Sequence, residues 1–338
     1  MTRPLLLGLG STLALVVACG ASLAGGSAAL SVPEVLSALA RGPEAGDVAV
    51  TVVWQLRMPR TLLALAVGGG LAVVGVAMQA LVRNPLAEPY VLGVSSGASA
   101  GASLFYLGFL PPLLSKSLTL PLAAFAGAFG TLVVVFLVAR TGPRLSTARL
   151  LLAGVAVSSF LAAVTAFVTY ASPDPNKLRA VLFWLLGSLA GARWSTVGLP
   201  LAGALGGTIA LALLARPLDA LVTGEEGART LGVPVEQLKR GLMLLSALVT
   251  GLLVAASGII GFVGLIVPHA VRFLVGAAHG RVVPLSFVLG ALFLLLADLA
   301  ARTVLPGQEL PVGILTAVCG VPFFLALLRR TSRLPSTS

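Results

Sequence analysis

Long apolar runs cut by short polar corners make up this chain. From Thr61 to Val82 there are twenty-two residues without a charge. A helix that crosses a bilayer needs ~20 predominantly apolar residues, so this run predicts one crossing. Arg57, Pro59 and Arg60 lead into it, Arg83-Asn84-Pro85 stops it, and Glu88-Pro89 completes a polar elbow. The apolar pattern resumes with Gly93, Gly97 and Gly101, four residues apart and therefore on one helix face. Glycines spaced in this way let a second backbone come close. The stretch 57–101 reads as a tightly packed membrane hairpin around which the rest of the chain is organised.

The same reading along the chain predicts spans at residues 1–30, 61–82, 90–110, 118–139, 150–171, 194–215, 240–257, 259–275, 282–302 and 311–328. The first opens behind Arg3, and Val16-Val17-Ala18-Cys19 has the look of a lipoprotein cleavage site. The apolar run nevertheless continues to Leu30, which favours an uncleaved span. Residues 31–56 are mixed and predict an external loop with a short helix lying on the membrane. Within 172–193 the apolar part, Ala180 to Ala192, has only thirteen residues. That is short for a span and predicts an interfacial or re-entrant helix, with Trp184 and Trp194 near the interface. Pro111-Pro112 and Lys116 mark an outer turn.

Gly241 to Pro268 is apolar over twenty-eight residues, too long for one ordinary span. A break near Ser257-Gly258 puts Arg272, Arg281, Arg329, Arg330 and Arg333 on the inner side, as the positive-inside rule favours. The resulting map has ten spans and both termini inside, with fourteen of the twenty-two basic residues on that side.

Composition supports this reading. The 338 residues are 58% hydrophobic and 10% charged, whereas soluble domains carry roughly 25% charged residues. The chain is therefore expected to be an all-α polytopic membrane protein, with no polar segment long enough for a separate soluble domain. A net charge of +11 could suggest nucleic acid. Here the basic residues sit in short loops and set topology. Cys19 and Cys319 both lie in apolar runs without metal-site spacing, and are expected to be ordinary buried thiols.

No catalytic constellation is present. His269 and His279 are the only histidines, and no carboxylate or cysteine cluster completes a metal site around them. His269, at a helix end, is expected to be a hydrogen-bonded structural residue. There is no phosphate-binding G-x-x-x-x-G-K-[ST] loop, so the chain is not expected to bind ATP itself. Asp298 is the one acid well inside an apolar run. Arg302 follows four residues later, a spacing that allows an ion pair. The lack of a proton relay weighs against an ion-coupled secondary transporter. An intramembrane enzyme would need convergent acid, base or nucleophile groups that are also missing.

Two groups of charges call for a local reason. Arg57, Arg60 and Arg302 fall on the outer side, against the topological trend. They either contact headgroups or accept carboxylates from an external partner, for which the planar guanidinium fork is well suited. In the loop 216–240 a short helix is expected to start at Thr223 or Gly224. Glu225 and Glu226 lie in its first turn, Arg229 one turn later, and Gly232 and Pro234 at its end. Such an element is either a solvated loop helix or a docking helix.

Three stretches carry a family resemblance: residues 57–101, GIIGFVGLIVPHAVR at 258–272, and DLAAR followed by LPVGILTAVCGVPFF at 298–324. They resemble signatures of the permease subunits of type II ABC importers for cobalamin, haem and ferric siderophores, and keep the family order. The resemblance implies one permease domain over 1–338, with the coupling loop at 216–240. It implies a homodimer in the cytoplasmic (inner) membrane of a bacterium or archaeon. Two ATPase subunits holding ATP-Mg would bind inside and a substrate-binding protein outside, and the chain would hold no cofactor of its own. Arg57, Arg60 and Arg302 would receive the binding protein. Gly224, Glu225, Ala228, Arg229, Leu231 and Gly232 would form the coupling helix. Asn84, Leu86, Ser146 and Thr147 would take the cytoplasmic gate positions. The cargo is expected to be a bulky metal chelate, a ferric siderophore or haem ahead of cobalamin, although no residue selects among them.

Overall fold

The computed structural model describes residues 2–26, 30–111, 113–114, 118–141, 144–305 and 307–331. The expected turn residues Pro112 and Lys116 and the tail residue Arg333 lie outside the described residues. Helix α1 (Thr2–Ala24) stops short of the expected Leu30, and α2 (Val32–Arg41) is the short helix expected in the following loop. Ser31 begins α2, where its backbone N–H and its hydroxyl both donate to Glu34 at 2.7 Å. A short helical turn, Val48–Thr51, and a π-helical turn, Val52–Arg57, then feed α3 (Met58–Val82).

Helix α3 is the centre of the protein. Its 25 residues span about 37 Å at 1.5 Å per residue. Of the most apolar stretch in Val48–Val82, 89% is buried, against 17% for the corresponding stretch of Thr147–Tyr170 and 11% for that of Pro4–Ala24. Water is not the competing solvent around such a helix, so close packing of small residues must hold its neighbours. Gly75 of α3 lies against the backbone of Gly264, and Gly68 against that of Gly290. Any side chain at these positions would overlap a carbonyl oxygen. At its end Arg83 takes the left-handed conformation, φ 54°, and the amide of Asn84 donates back to the Gln79 carbonyl at 3.1 Å.

The segment after α3 departs from the expected elbow. A 3-10 turn (Pro89–Leu92) leads to α4 (Val94–Tyr106), which is shorter than the predicted 90–110. Pro89 packs on Gly264, which itself touches the carbonyl of Leu71, halfway along α3. Gly93 meets Gly154 and Ser158, well inside a spanning helix. The elbow thus turns back into the body of the bundle rather than resting at its surface. Gly97 and Gly101 lie against Gly127 and Ala123 of α5 (Leu120–Ala139), the close backbone approach that their spacing predicts.

After a two-residue antiparallel pair, Arg140–Thr141 with Arg144–Leu145, comes α6 (Thr147–Tyr170). Helix α7 (Pro175–Leu185) begins earlier than the expected Ala180 and ends well before Ala192. The reason is local. The Asp174 side chain accepts from the amides of Asn176 and Lys177, and Pro175 opens the helix. Its end reaches the interior, where Gly187 touches the carbonyl of Ile259.

Helix α8 (Trp194–Leu213) precedes two short helices, α9 (Ala215–Val222) and α10 (Glu225–Thr230). Helix α11 (Val235–Ser257) breaks at Gly258, φ 68°, as the length of the apolar run requires. Its continuation, α12 (Val263–Val275), begins four residues later than predicted because Phe262 holds a left-handed conformation, φ 69°. Helices α13 (His279–Thr303) and α14 (Val312–Thr331) complete the chain. Seven helical segments among the described residues are long and apolar enough to cross a membrane. Helix α12 and residues Val312–Ala326 of α14 are shorter apolar helices, and α4 has 13 residues.

Candidate functional site

Three arginines meet at the end of the bundle where α3 begins and α13 ends. They line a cavity of about 390 Å³ together with Gly26, Val52, Leu56 and Glu309. Arg57 is buried, and its Nη1 donates to the carbonyls of Leu23 and Ala24 at 2.7 and 2.8 Å. These carbonyls are left over at the end of α1, so the guanidinium serves as its cap. Arg302 is buried as well. It donates to the Ser22 hydroxyl at 2.9 Å and the Gly25 carbonyl at 3.1 Å. The predicted i,i+4 pair exists, with Arg302 Nε 3.1 Å from Asp298 Oδ2.

Arg60 joins the same acid from α3. Its Nη2 lies 2.9 Å from Asp298 Oδ1, and its Nη1 lies 2.8 Å from Glu309 Oε2. Three cations close together in a low-dielectric setting would repel strongly without carboxylates between them. Asp298, fully buried, and Glu309, 40% exposed at its side chain, supply that balance. The sequence does place these three arginines at one end. What it does not convey is that each is anchored within the chain.

At the opposite end the loop 216–240 folds into α9 and α10. Gly224 begins α10, Leu231 caps it, and Gly232 follows with φ 80°. The amides of Gly232 and Val233 return to the carbonyls of Arg229 and Ala228, a closed C-terminus of the kind that the glycine permits. Ala228 is fully buried and Leu231 is 71% exposed. The predicted Glu225–Arg229 pair is present at 3.6 Å, and Arg229 also reaches Glu236 at 3.5 Å. In the sequence Lys239 is one of several basic residues of this loop. It is almost wholly buried, with its Nζ 2.9 Å from Glu225 Oε1. A buried ammonium is costly unless paired, so this contact fixes α10 on the first turns of α11. The Asp219 carboxylate likewise holds His279, accepting from its amide at 2.9 Å and meeting its Nδ1 at 2.6 Å, which ties α9 to α13.

The four residues expected at the gate, Asn84, Leu86, Ser146 and Thr147, lie near the starts of the elbow and of α6. The Asn84 side chain accepts from the Leu86 amide at 2.9 Å, which fixes the turn. Ser146 caps α6 through the Arg149 amide at 3.5 Å, and Thr147 is its first residue. Deeper in the elbow, Glu88 accepts from the Phe262 amide at 2.6 Å and Tyr90 accepts from the Ile260 amide at 3.2 Å. These contacts latch the elbow to the α11–α12 break. Glu88 is thus a second acid inside the bundle beside Asp298, concealed in the sequence by a corner that resembles a surface turn.

Two minor expectations are corrected. Among the described residues neither ring nitrogen of His269 has a hydrogen-bond partner, and the ring instead packs edge-on to Phe273 at 4.8 Å. Cys19 is only partly buried and Cys319 is exposed, because their apolar runs present faces outward. Among the described residues no group of three or more metal-ligating side chains occurs.

Comparison with known proteins agrees with this architecture. The haemin transport system permease of Yersinia pestis is 44% identical over 82% of this chain and 83% of its own. The cobalamin import system permease of Halobacterium salinarum is 42% identical over 84% of this chain and 74% of its own. A metal-chelate type ABC transporter solved in an inward-facing conformation superposes with a TM-score of 0.85 at 36% identity, covering 97% of this chain and 99% of that one. The FecCD transport family matches residues 14–330. The chain belongs to the FecCD transport family, as a multi-pass permease of the ABC importer class.

Proposed function

We propose that this chain is one of two identical permease subunits of an ATP-driven importer in the cytoplasmic membrane of a bacterium or archaeon. Both termini face the cytoplasm. Two ATPase subunits bind there and hold the ATP-Mg, and α10 is the element that rides in them. An external binding protein delivers a bulky metal chelate at the Arg57–Arg60–Arg302 cavity, and Asn84, Leu86, Ser146 and Thr147 border the inner gate. The observation that carries this reading is the pairing of two specialised ends on one apolar body. One end holds a cluster of three arginines, and the other an exposed capped helix fixed by a buried Lys239–Glu225 pair.

The cargo is an iron chelate, a ferric siderophore or haem. Cobalamin is the alternative, because relatives named for haemin and for cobalamin are almost equally similar to this chain. The test is reconstitution of the chain with its ATPase and, in separate vesicles, with binding proteins for a ferric siderophore, haem and cobalamin. Uptake of an iron chelate supports the proposal. Uptake of cobalamin alone replaces the cargo, and uptake of none of the three contradicts the chelate reading.

A further inference from the structure

A carboxylate of the chain itself already occupies the arginine cavity. Arg60 turns its Nε and Nη2 toward Asp298, at 2.9–3.2 Å, and its Nη1 toward Glu309 at 2.8 Å. The two carboxylates differ in freedom. Asp298 is fully buried and shared with Arg302, so it is fixed. Glu309 is 40% exposed and sits in the irregular segment between α13 and α14, two residues after Gly307 with φ 77°. A guanidinium presents its donors in a planar fork. With one edge of Arg60 committed to Asp298, the edge open to an outside acid is the one that Glu309 covers, and only 11% of the Arg60 side chain remains exposed.

We infer that Glu309 is an internal stand-in for a partner's carboxylate. An acidic side chain of the docking protein reaches Arg60 by displacing it. This rests on the docking reading proposed above. The arrangement keeps Arg60 pre-oriented while the cavity is empty of partner. It also weakens association, because every docking event must break the Arg60–Glu309 pair, and docking therefore stays reversible. The displaced segment leads directly into α14, whose Gly313 rests on the carbonyls of Leu186 and Ile259 at the interior break. Release of Glu309 would thus be felt where α7, the α11–α12 break and α14 meet.

The test is a binding titration on the assembled permease–ATPase complex in lipid nanodiscs. The probe is the binding protein that supports uptake in the reconstitution. Dissociation constants are measured over a range of salt for the unaltered complex, Glu309→Gln, Glu309→Ala, Arg60→Gln and the Arg60→Gln/Glu309→Gln pair. Both single Glu309 variants should bind about two- to fivefold more tightly, the range set by an exposed ion pair. That gain should shrink as salt rises. Arg60→Gln should weaken binding, and adding Glu309→Gln to it should change nothing further. A merely structural strut predicts the opposite sign, since loosening Arg60 would weaken binding. Unchanged or weaker binding in both single Glu309 variants, with Arg60→Gln still damaging, overturns this inference alone. Unaffected binding in Arg60→Gln, or no binding protein that supports uptake, overturns the docking reading and this inference with it.

Discussion

At the scale of single residues, the arginine cavity depends on how deeply each charge is held. Asp298 serves both Arg60 and Arg302 and has no exposed surface. Asp298→Asn should leave two guanidiniums facing one another across a neutral amide. We expect a loss of about 3–5 kcal/mol, the usual cost of removing one partner from a buried pair, read as a lowered unfolding midpoint in detergent. An unchanged midpoint would mean that the cluster is not a stabilising element. Glu34 is the contrasting case at the surface. Hydrogen bonds from the Ser31 hydroxyl and backbone hold its carboxyl below the usual range. A depressed folded-state value contributes stability above the unfolded value of about 4.3 and loses it as pH falls through the folded value. The first turn of α2 should therefore fray only once the pH falls below the unfolded value of about 4.3, seen as lost amide protection at residues 34–36. Fraying that begins near neutral pH would contradict this cap. At this scale Arg57, Arg60, Arg302 and Asp298 could be picked out from sequence because their charge breaks an apolar pattern. Glu309 and Lys239 could not, since each looks like an ordinary loop or loop-edge charge until distant residues are brought to it.

At the scale of elements, the apolar pattern carries most of the information because membrane helices must satisfy their own backbone. The ten predicted crossings correspond to α1, α3, α4, α5, α6, α8, α11, α12, α13 and α14. The break at Ser257-Gly258 follows from run length and charge placement. The depth of the elbow does not, because Asn84-Pro85 and Glu88-Pro89 mark a polar corner wherever it lies. The contact of Pro89 with Gly264 and the hydrogen bonds of Glu88 and Tyr90 to the α11–α12 break reveal that it turns inward. Helix α7 lies within the expected 172–193 but starts ahead of its apolar part for a related reason. Its apolar tail suggested the helix, while the Asp174-Pro175 start signal decides where it begins. Packing between elements yields a direct prediction. A methyl at Gly75 would overlap the Gly264 carbonyl, whereas one at Gly8 meets no atom within 4 Å. Gly75→Ala should destabilise by about 1–3 kcal/mol, as overpacking does. Gly8→Ala should be neutral or slightly stabilising. Equal effects of the two on thermal unfolding would contradict the close packing of α3 against α12.

At the scale of the whole molecule, a central buried helix carries two ends with different chemistry. The arginine cavity and the capped α10 stand at opposite ends of the bundle, joined through α3 and α11 and through the latch of the elbow onto the α11–α12 break. Nothing in the apolar pattern distinguishes an importer from a carrier that works alone. That distinction rests on the family and on the two ends. The most direct measurement of the central claim is accumulation by proteoliposomes that hold the complete complex, with ATP enclosed on the α10 side and all ion gradients collapsed by ionophores. Accumulation that requires ATP and persists without a gradient is the predicted result. Accumulation driven by an ion gradient in the absence of ATP would contradict the account and identify a secondary carrier instead.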